Sequence, residues 1–218
     1  MTQALPWLTL FAAGIAVAAG LGLLPAALLF VAKPLATGLI IAWAWPRGRA
    51  VPRQRRLVLI GLLLSFAGDV FLLWPKQGFL PGLVAFLLAH LTYIAAFSTS
   101  LRFAARPMPF VVYAVVAGAI LSLLWPGVPP GLRVPVVAYV LCLASMAAQA
   151  AGVGLAARGS ADASRGRLAA IGGALFMASD ALLATNRFAV PLPLATLWIL
   201  STYWLAQWCI ASSLARKT

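Results

Sequence analysis

Eight apolar stretches alternate with short polar breaks along the chain, near 5–22, 26–45, 57–74, 79–99, 109–125, 133–157, 167–186 and 194–214. Each approaches the roughly 20 residues that a helix needs to cross a bilayer, and the breaks hold the Pro, Gly and Arg residues that punctuate helices. The pattern predicts an all-α polytopic membrane protein. It has one transmembrane domain over 1–218, a single bundle of about eight helices, and no room for a soluble catalytic domain.

Composition agrees: 64% of the 218 residues are apolar and 9% charged, against roughly 25% charged in a soluble domain. The net charge of +13 would suggest nucleic acid in a soluble protein; here its placement argues for membrane orientation instead. With the N-terminus cytoplasmic, Arg47, Arg49, Arg53, Arg55, Arg56, Arg102, Arg106, Arg158, Arg165, Arg167, Arg216 and Lys217 fall on the cytoplasmic side. Lys76, Arg133 and Arg187 fall on the other, and Lys33 lies inside a span. That asymmetry places both termini in the cytoplasm and predicts membrane lipids, not nucleic acid, as partners. The first residues lack the basic start of a cleaved signal peptide and are read as part of a retained first helix. Trp43, Trp45, Trp74 and Trp125 are expected as interfacial belt residues. The short Arg- and Pro-containing loops suit a bacterial inner membrane.

Few residues remain for chemistry. Cys142 and Cys209 lie in apolar runs and His90 is the single histidine, so neither a disulfide framework nor a three-histidine zinc site can be built. There is no Glu, and the acids are Asp69, Asp162 and Asp180. Asp162 sits among arginines in a loop and is expected to be solvated. Asp69 and Asp180 lie inside spans, where an ionisable group costs about 2.5 to 3.5 kcal/mol even on insertion scales. At 1.5 Å per residue, Lys33, Asp69 and Asp180 all fall roughly 8 to 10 Å below the non-cytoplasmic boundary. They form one layer, an intramembrane polar cavity.

His90 lies deeper, with Tyr93 on its helical face, and Tyr203 and Gln207 form an i, i+4 stripe approaching the layer. Each has a plainer reading: Lys33 snorkelling outward, a structural Lys33–Asp69 pair, His90 as a satisfied core residue, Tyr203 and Gln207 as interhelical glue. The segments Phe66–Leu72 and Met177–Leu183 each carry an Asp after two small residues, an echo compatible with a four-plus-four duplication. Gly68 and Ser179 would let neighbouring backbones approach.

At these residues the sequence resembles the YhhN-like lysoplasmalogenase family of eight-span membrane proteins. The matching pieces are Lys33-Pro34-Leu35, Gly68-Asp69-Val70-Phe71-Leu72, Ala89-His90-Leu91-Thr92-Tyr93, Ser179 to Phe188, and Tyr203-Trp204-Leu205-Ala206-Gln207. The resemblance runs in order over nearly the whole chain. It implies hydrolysis of the vinyl ether bond of a lysophospholipid substrate, releasing a fatty aldehyde and glycerophosphoethanolamine or glycerophosphocholine, without a metal or organic cofactor. Such cleavage needs one protonated carboxyl to protonate the enol carbon and one carboxylate to manage water, as in glycoside hydrolysis.

Asp69, flanked by Val70 and Phe71, is assigned as the acid and Asp180, near Ser179 and Asn186, as the base, with exchange of the two roles left open. Lys33 and Asn186 are expected to keep one carboxyl ionised. His90 and Tyr93 are expected to orient water or a carboxylate, and Lys33 or Arg187 to hold the phosphate. A proton-coupled lipid or small-molecule transporter is the alternative, since embedded aspartates also serve transport. The apolar cytoplasmic halves of both Asp spans argue against it.

Overall fold

The computed structural model describes residues 3–74 and 76–215; Arg216 and Lys217, counted above on the cytoplasmic side, lie outside the described residues. Among the described residues eight α-helices follow one another: α1 Leu5–Gly20, α2 Ala27–Ala44, α3 Pro52–Phe71, α4 Phe79–Phe97, α5 Pro107–Leu124, α6 Arg133–Ala156, α7 Ala163–Phe188 and α8 Ala195–Ser212. Two short 3₁₀ turns, Trp125–Gly127 and Pro130–Leu132, join α5 to α6. An apolar chain in hydrocarbon can satisfy its amides only by internal pairing, which is why the hydrophobic runs become helices. Helices α2, α4 and α7, together with α5 and α6 and their adjoining turns, are long and apolar enough to cross a membrane; α1 is shorter. The chain is an integral membrane protein with an all-helical bundle fold.

Helix ends depart from the hydrophobic stretches where charge allows. α3 starts at Pro52, so Arg53, Arg55 and Arg56 are helical, and α7 starts at Ala163, taking in Arg165 and Arg167. Arginine is a good helix former, and proline at the first position needs no amide partner, so these helices continue past the hydrocarbon. At the other end α7 runs on through Asn186 and Arg187, while α3 stops at Phe71, short of Trp74. Arg133 begins α6 instead of lying in a loop, its guanidinium 5.0 Å from the Trp125 ring centre. Asp162 pairs with Arg165 at the start of α7, as solvent-side charges do.

Sequential helices pack as neighbours except α4 and α5, which do not meet; α6 packs onto α4 instead, and α8 onto α2 and α1. α5 lies at the edge, packed on α6 and touching α7. Small residues set the close approaches: a Cβ on Gly173 would come 3.0 Å from Ala147 Cα, and one on Gly172 3.1 Å from the Ala206 carbonyl oxygen. Trp43 does not belong to an interfacial belt. It is buried, stacked on Trp208 at 4.5 Å, with its indole N–H donating to Ser212 Oγ and Arg47 over its face. Trp45 and Trp74 are exposed.

Candidate active site

Asp69 is built in by three helices. It lies in the last turn of α3 and is 1% exposed. From α2, Lys33 Nζ approaches its Oδ1 at 3.5 Å, and Thr37 Oγ1, one turn further, donates to Oδ2 at 2.6 Å. From α8, Tyr203 Oη donates to Oδ2 at 2.7 Å. Thr37 is itself oriented, because its oxygen accepts the indole N–H of Trp204 at 3.1 Å. One cation and two hydroxyl donors therefore converge on a single carboxyl. Lys33 is buried, so its ammonium turns inward to this pair and does not snorkel.

Asp180, in α7, has a different environment. Tyr139 of α6 donates to its Oδ2 at 2.5 Å, and His90 of α4 places Nε2 3.1 Å from the Tyr139 oxygen and 3.7 Å from Asp180 Oδ2. Its side chain is 15% exposed, and no Lys or Arg makes an ion pair with it among the described residues. Ser179, beside it, faces α8 and donates to the Ile199 carbonyl at 3.0 Å.

Both carboxyls line one cavity of about 360 Å³. At 1.5 Å per residue, Lys33, Tyr139 and Tyr203 lie about 9 to 12 Å from the start of their helices and Asp180 about 12 Å from the end of α7, which gives the cavity a common polar level. Asp69 joins that level because α3 ends early. Asn186, Arg187 and Thr196 lie at the rim; Leu83, Ala117, Leu121, Leu143 and Met177 line the apolar wall. Between the two carboxyls stand aromatic rings: Phe86, Phe176 and Tyr203 meet edge to face, with centroids 5.6 to 6.1 Å apart, and His90 meets Phe176 at 4.6 Å. Gly68 makes this possible, since a Cβ there would lie 2.6 Å from the Phe86 ring. Among the described residues no cluster of three His, Cys, Asp or Glu side chains forms.

Of the residues singled out in the sequence, Lys33, Asp69, Asp180, Asn186, Arg187 and Tyr203 line the cavity. His90 is fully buried and stands behind Tyr139. Tyr93 and Gln207 are placed elsewhere: Tyr93 Oη donates to Gln207 Oε1 at 2.7 Å, tying α4 to α8 away from the cavity wall. Asn186 does not support a carboxylate; its Oδ1 accepts the Leu192 N–H at 2.9 Å and shapes the turn into α8. The Arg187 guanidinium lies 3.7 Å from the centre of the Phe79 ring. Sequence reasoning missed Thr37 and Tyr139. Thr37 carried a signal, because it follows Lys33 by one helical turn; Tyr139 was a lone hydroxyl in an apolar run.

Comparison with known proteins adds to this geometry. A profile described as the YhhN family matches residues 28–214. Lysoplasmalogenase TMEM86B of Homo sapiens is 39% identical over 156 residues, covering 72% of this chain and 62% of its own length. Lysoplasmalogenase TMEM86A of Homo sapiens is 36% identical over 162 residues, covering 72% and 64%. A lysoplasmalogenase of Mycobacterium tuberculosis is 34% identical over 145 residues, covering 63% and 52%. The chain thus spans less than two thirds of the length of these three relatives. No solved structure matches it.

Proposed function

The chain belongs to the YhhN family, and on that premise we propose that it is a membrane-embedded hydrolase of lysoplasmalogen, cleaving the vinyl ether to a fatty aldehyde and glycerophosphoethanolamine or glycerophosphocholine. The observation that carries the reading is the unequal setting of two carboxyls in one apolar cavity. Asp69 has a lysine and two hydroxyl donors, whereas Asp180 has one tyrosine, with His90 behind it at 3.7 Å, and no Lys or Arg partner among the described residues. Like carboxyls in unlike settings are the usual source of one acid and one base.

The partners favour the exchanged assignment: Asp180 holds the proton and Asp69 is the anion. Asp180 protonates the enol carbon of the vinyl ether, and the oxocarbenium ion that forms is stabilised by the Asp69 carboxylate. Water adds to the cationic carbon and gives its proton to Asp69, leaving a hemiacetal. On collapse, Asp69 protonates the departing glycerol oxygen while the Asp180 carboxylate takes the hemiacetal hydroxyl proton. Both groups return to their starting states, and one water is consumed. In this reading Arg187 at the rim binds the phosphate, and the apolar wall takes the hydrocarbon tail.

The transporter alternative gains no support, because below the site α6, α7 and α8 close on Ala147, Gly172, Gly173 and Ala206. The orientation we propose is cytoplasmic termini in a bacterial inner membrane, with the site near the outer leaflet. The test is to incubate the purified protein in lipid nanodiscs with lysoplasmalogen in D₂O. The reading expects aldehyde carrying one new deuterium at the carbon next to the carbonyl, and no product from the saturated ether analogue. Absence of aldehyde above an Asp180→Asn control would overturn it.

A further inference from the structure

His90 stands outside the cavity wall yet is fully buried, with its ring edge against Phe176 and its Nε2 on the Tyr139 oxygen. Its other ring nitrogen, Nδ1, is buried and meets no hydrogen-bond partner among the described residues. The stepwise mechanism above gives His90 and Tyr139 no role, so the contact needs its own explanation.

The hydrogen directions follow from counting donors. Tyr139 has one hydroxyl hydrogen and can spend it on Asp180 or on His90. If His90 carried its hydrogen on Nδ1, Nε2 would accept from Tyr139 and a buried N–H would face no acceptor. Nδ1 is unpaired in either tautomer, and the choice rests on an orphaned buried N–H being rarer in proteins than an under-satisfied acceptor. With the hydrogen on Nε2, His90 donates to the tyrosine oxygen and Nδ1 keeps only a lone pair. The tyrosine hydrogen is then committed to Asp180 Oδ2. That oxygen becomes the acceptor, and the proton of the carboxyl is left on Oδ1, where nothing donates among the described residues.

We propose that Tyr139 and His90 are positioning residues that fix which oxygen of Asp180 carries the transferable proton, His90 acting only through the Tyr139 hydroxyl. The proposal rests on Asp180 being the acid of the hydrolase. It makes the histidine a tautomer lock on the neighbouring hydroxyl, with no contact to substrate. A glutamine at 90 can present its amide N–H near the position of Nε2, so His90→Gln restores the lock that His90→Leu removes.

Four variants are compared in nanodiscs with the wild type: Tyr139→Phe, His90→Leu, His90→Gln and the double Tyr139→Phe/His90→Leu. Tyr139→Phe should lower kcat about a hundredfold, the scale of positioned acid–base groups, with KM changed less than about threefold. His90→Leu should lower kcat comparably, and His90→Gln should stay within about tenfold of wild type. The double variant should be no slower than Tyr139→Phe, because the two act as one unit. Multiplying losses in the double variant, or a Tyr139→Phe enzyme within about threefold of wild type, overturns the proposal.

A readout independent of turnover is the infrared carbonyl stretch of the protonated Asp180 carboxyl, identified by its loss in Asp180→Asn. Its frequency should rise in Tyr139→Phe and in His90→Leu but not in His90→Gln. If the wild type yields no aldehyde, the hydrolase reading fails, and this band alone decides the lock. Absence of the band, or an unmoved one, overturns it.

Discussion

Lys33 meets Asp69 twice: its Nζ lies 3.5 Å from the carboxylate and donates to the backbone carbonyl of the same residue at 3.3 Å. The second contact follows from where α3 ends. Leu73 N–H turns to the Val70 carbonyl, so the Asp69 carbonyl has no helical donor, and an ammonium at a helix C-terminus satisfies it. One side chain both closes the helix and balances the buried charge.

Removing that ammonium should therefore act on stability as well as on turnover. Lys33→Met leaves a buried carboxylate without a counter-charge, which for buried pairs costs about 3 to 5 kcal/mol. The expected result is a clearly lower melting temperature in detergent and loss of hydrolysis. Lys33→Met combined with Asp69→Asn should recover most of the melting temperature and none of the activity. A single Lys33→Met variant as stable as wild type would show that the ammonium does not neutralise Asp69.

Asp69→Asn and Asp180→Asn should each lower kcat by a factor of about 10³ or more, because the amide neither gives nor takes the required proton. Their stabilities should differ. Asp180→Asn keeps an acceptor for Tyr139 and should melt within a few degrees of wild type, whereas Asp69→Asn strands the buried Lys33 and should melt lower. Turnover within tenfold of wild type in either variant removes that residue from the chemistry.

Lys33, Asp69 and Asp180 were legible because a charge in an apolar run is costly enough to demand a reason, and helix rise alone put them in one layer. Depth, however, does not say which side of a helix faces the cavity. Tyr93 and Gln207 share much of the polar chemistry of Tyr203 but bond one another, and only the side-chain contact that the bundle makes between α4 and α8 decides that. Tyr139 gained meaning once α6 lay between α4 and α7. The faint echo between the two halves has a spatial counterpart. Asp69 of α3 is held from the preceding α2 and from α8; Asp180 of α7 is held from the preceding α6 and from α4. Each half lends its fourth helix to the other half's carboxyl, which no single segment of sequence contains.

Tyr93→Phe provides a contrast within the same polar stripe. It removes a buried hydrogen bond to Gln207, whose Nε2 already lacks a partner among the described residues. Stability should fall by about 1 to 3 kcal/mol, the cost of an unsatisfied buried group, with kcat within about threefold of wild type. A hundredfold loss of kcat would return Tyr93 to the catalytic centre.

Ala117 is a buried small residue on the peripheral α5 and lines the cavity together with Ile120, Leu121 and Leu124. Ala117→Phe fills the apolar wall beside Leu121 and Leu143 without touching either carboxyl. The expected outcome is a change in selectivity: the ratio of kcat/KM for long-chain over short-chain substrate falls at least about tenfold, or about 1.4 kcal/mol. Equal loss for all chain lengths would mean that the tail runs elsewhere.

Lipid should reach the site from one side of the membrane. α2 and α8 begin, and α7 ends, at the rim that holds Arg187, and the positive-charge asymmetry assigns that rim to the non-cytoplasmic face. Substrate should then come from the outer leaflet, its head group against Arg187 and its tail against α5 and α6. Single cysteines in a background lacking Cys142 and Cys209 test this in intact cells. Gln77→Cys and Val190→Cys, on the exposed loops of the rim face, should react with a membrane-impermeant thiol reagent added outside. Arg49→Cys and Ser160→Cys, on the opposite face, should react only after the membrane is opened. The reverse pattern would invert the bundle and move substrate access to the cytoplasmic leaflet. The pairing of Asp69 with Lys33 and of Asp180 with Tyr139 would stand in either orientation, because it depends on contacts between helices and not on the direction in which the bundle was inserted.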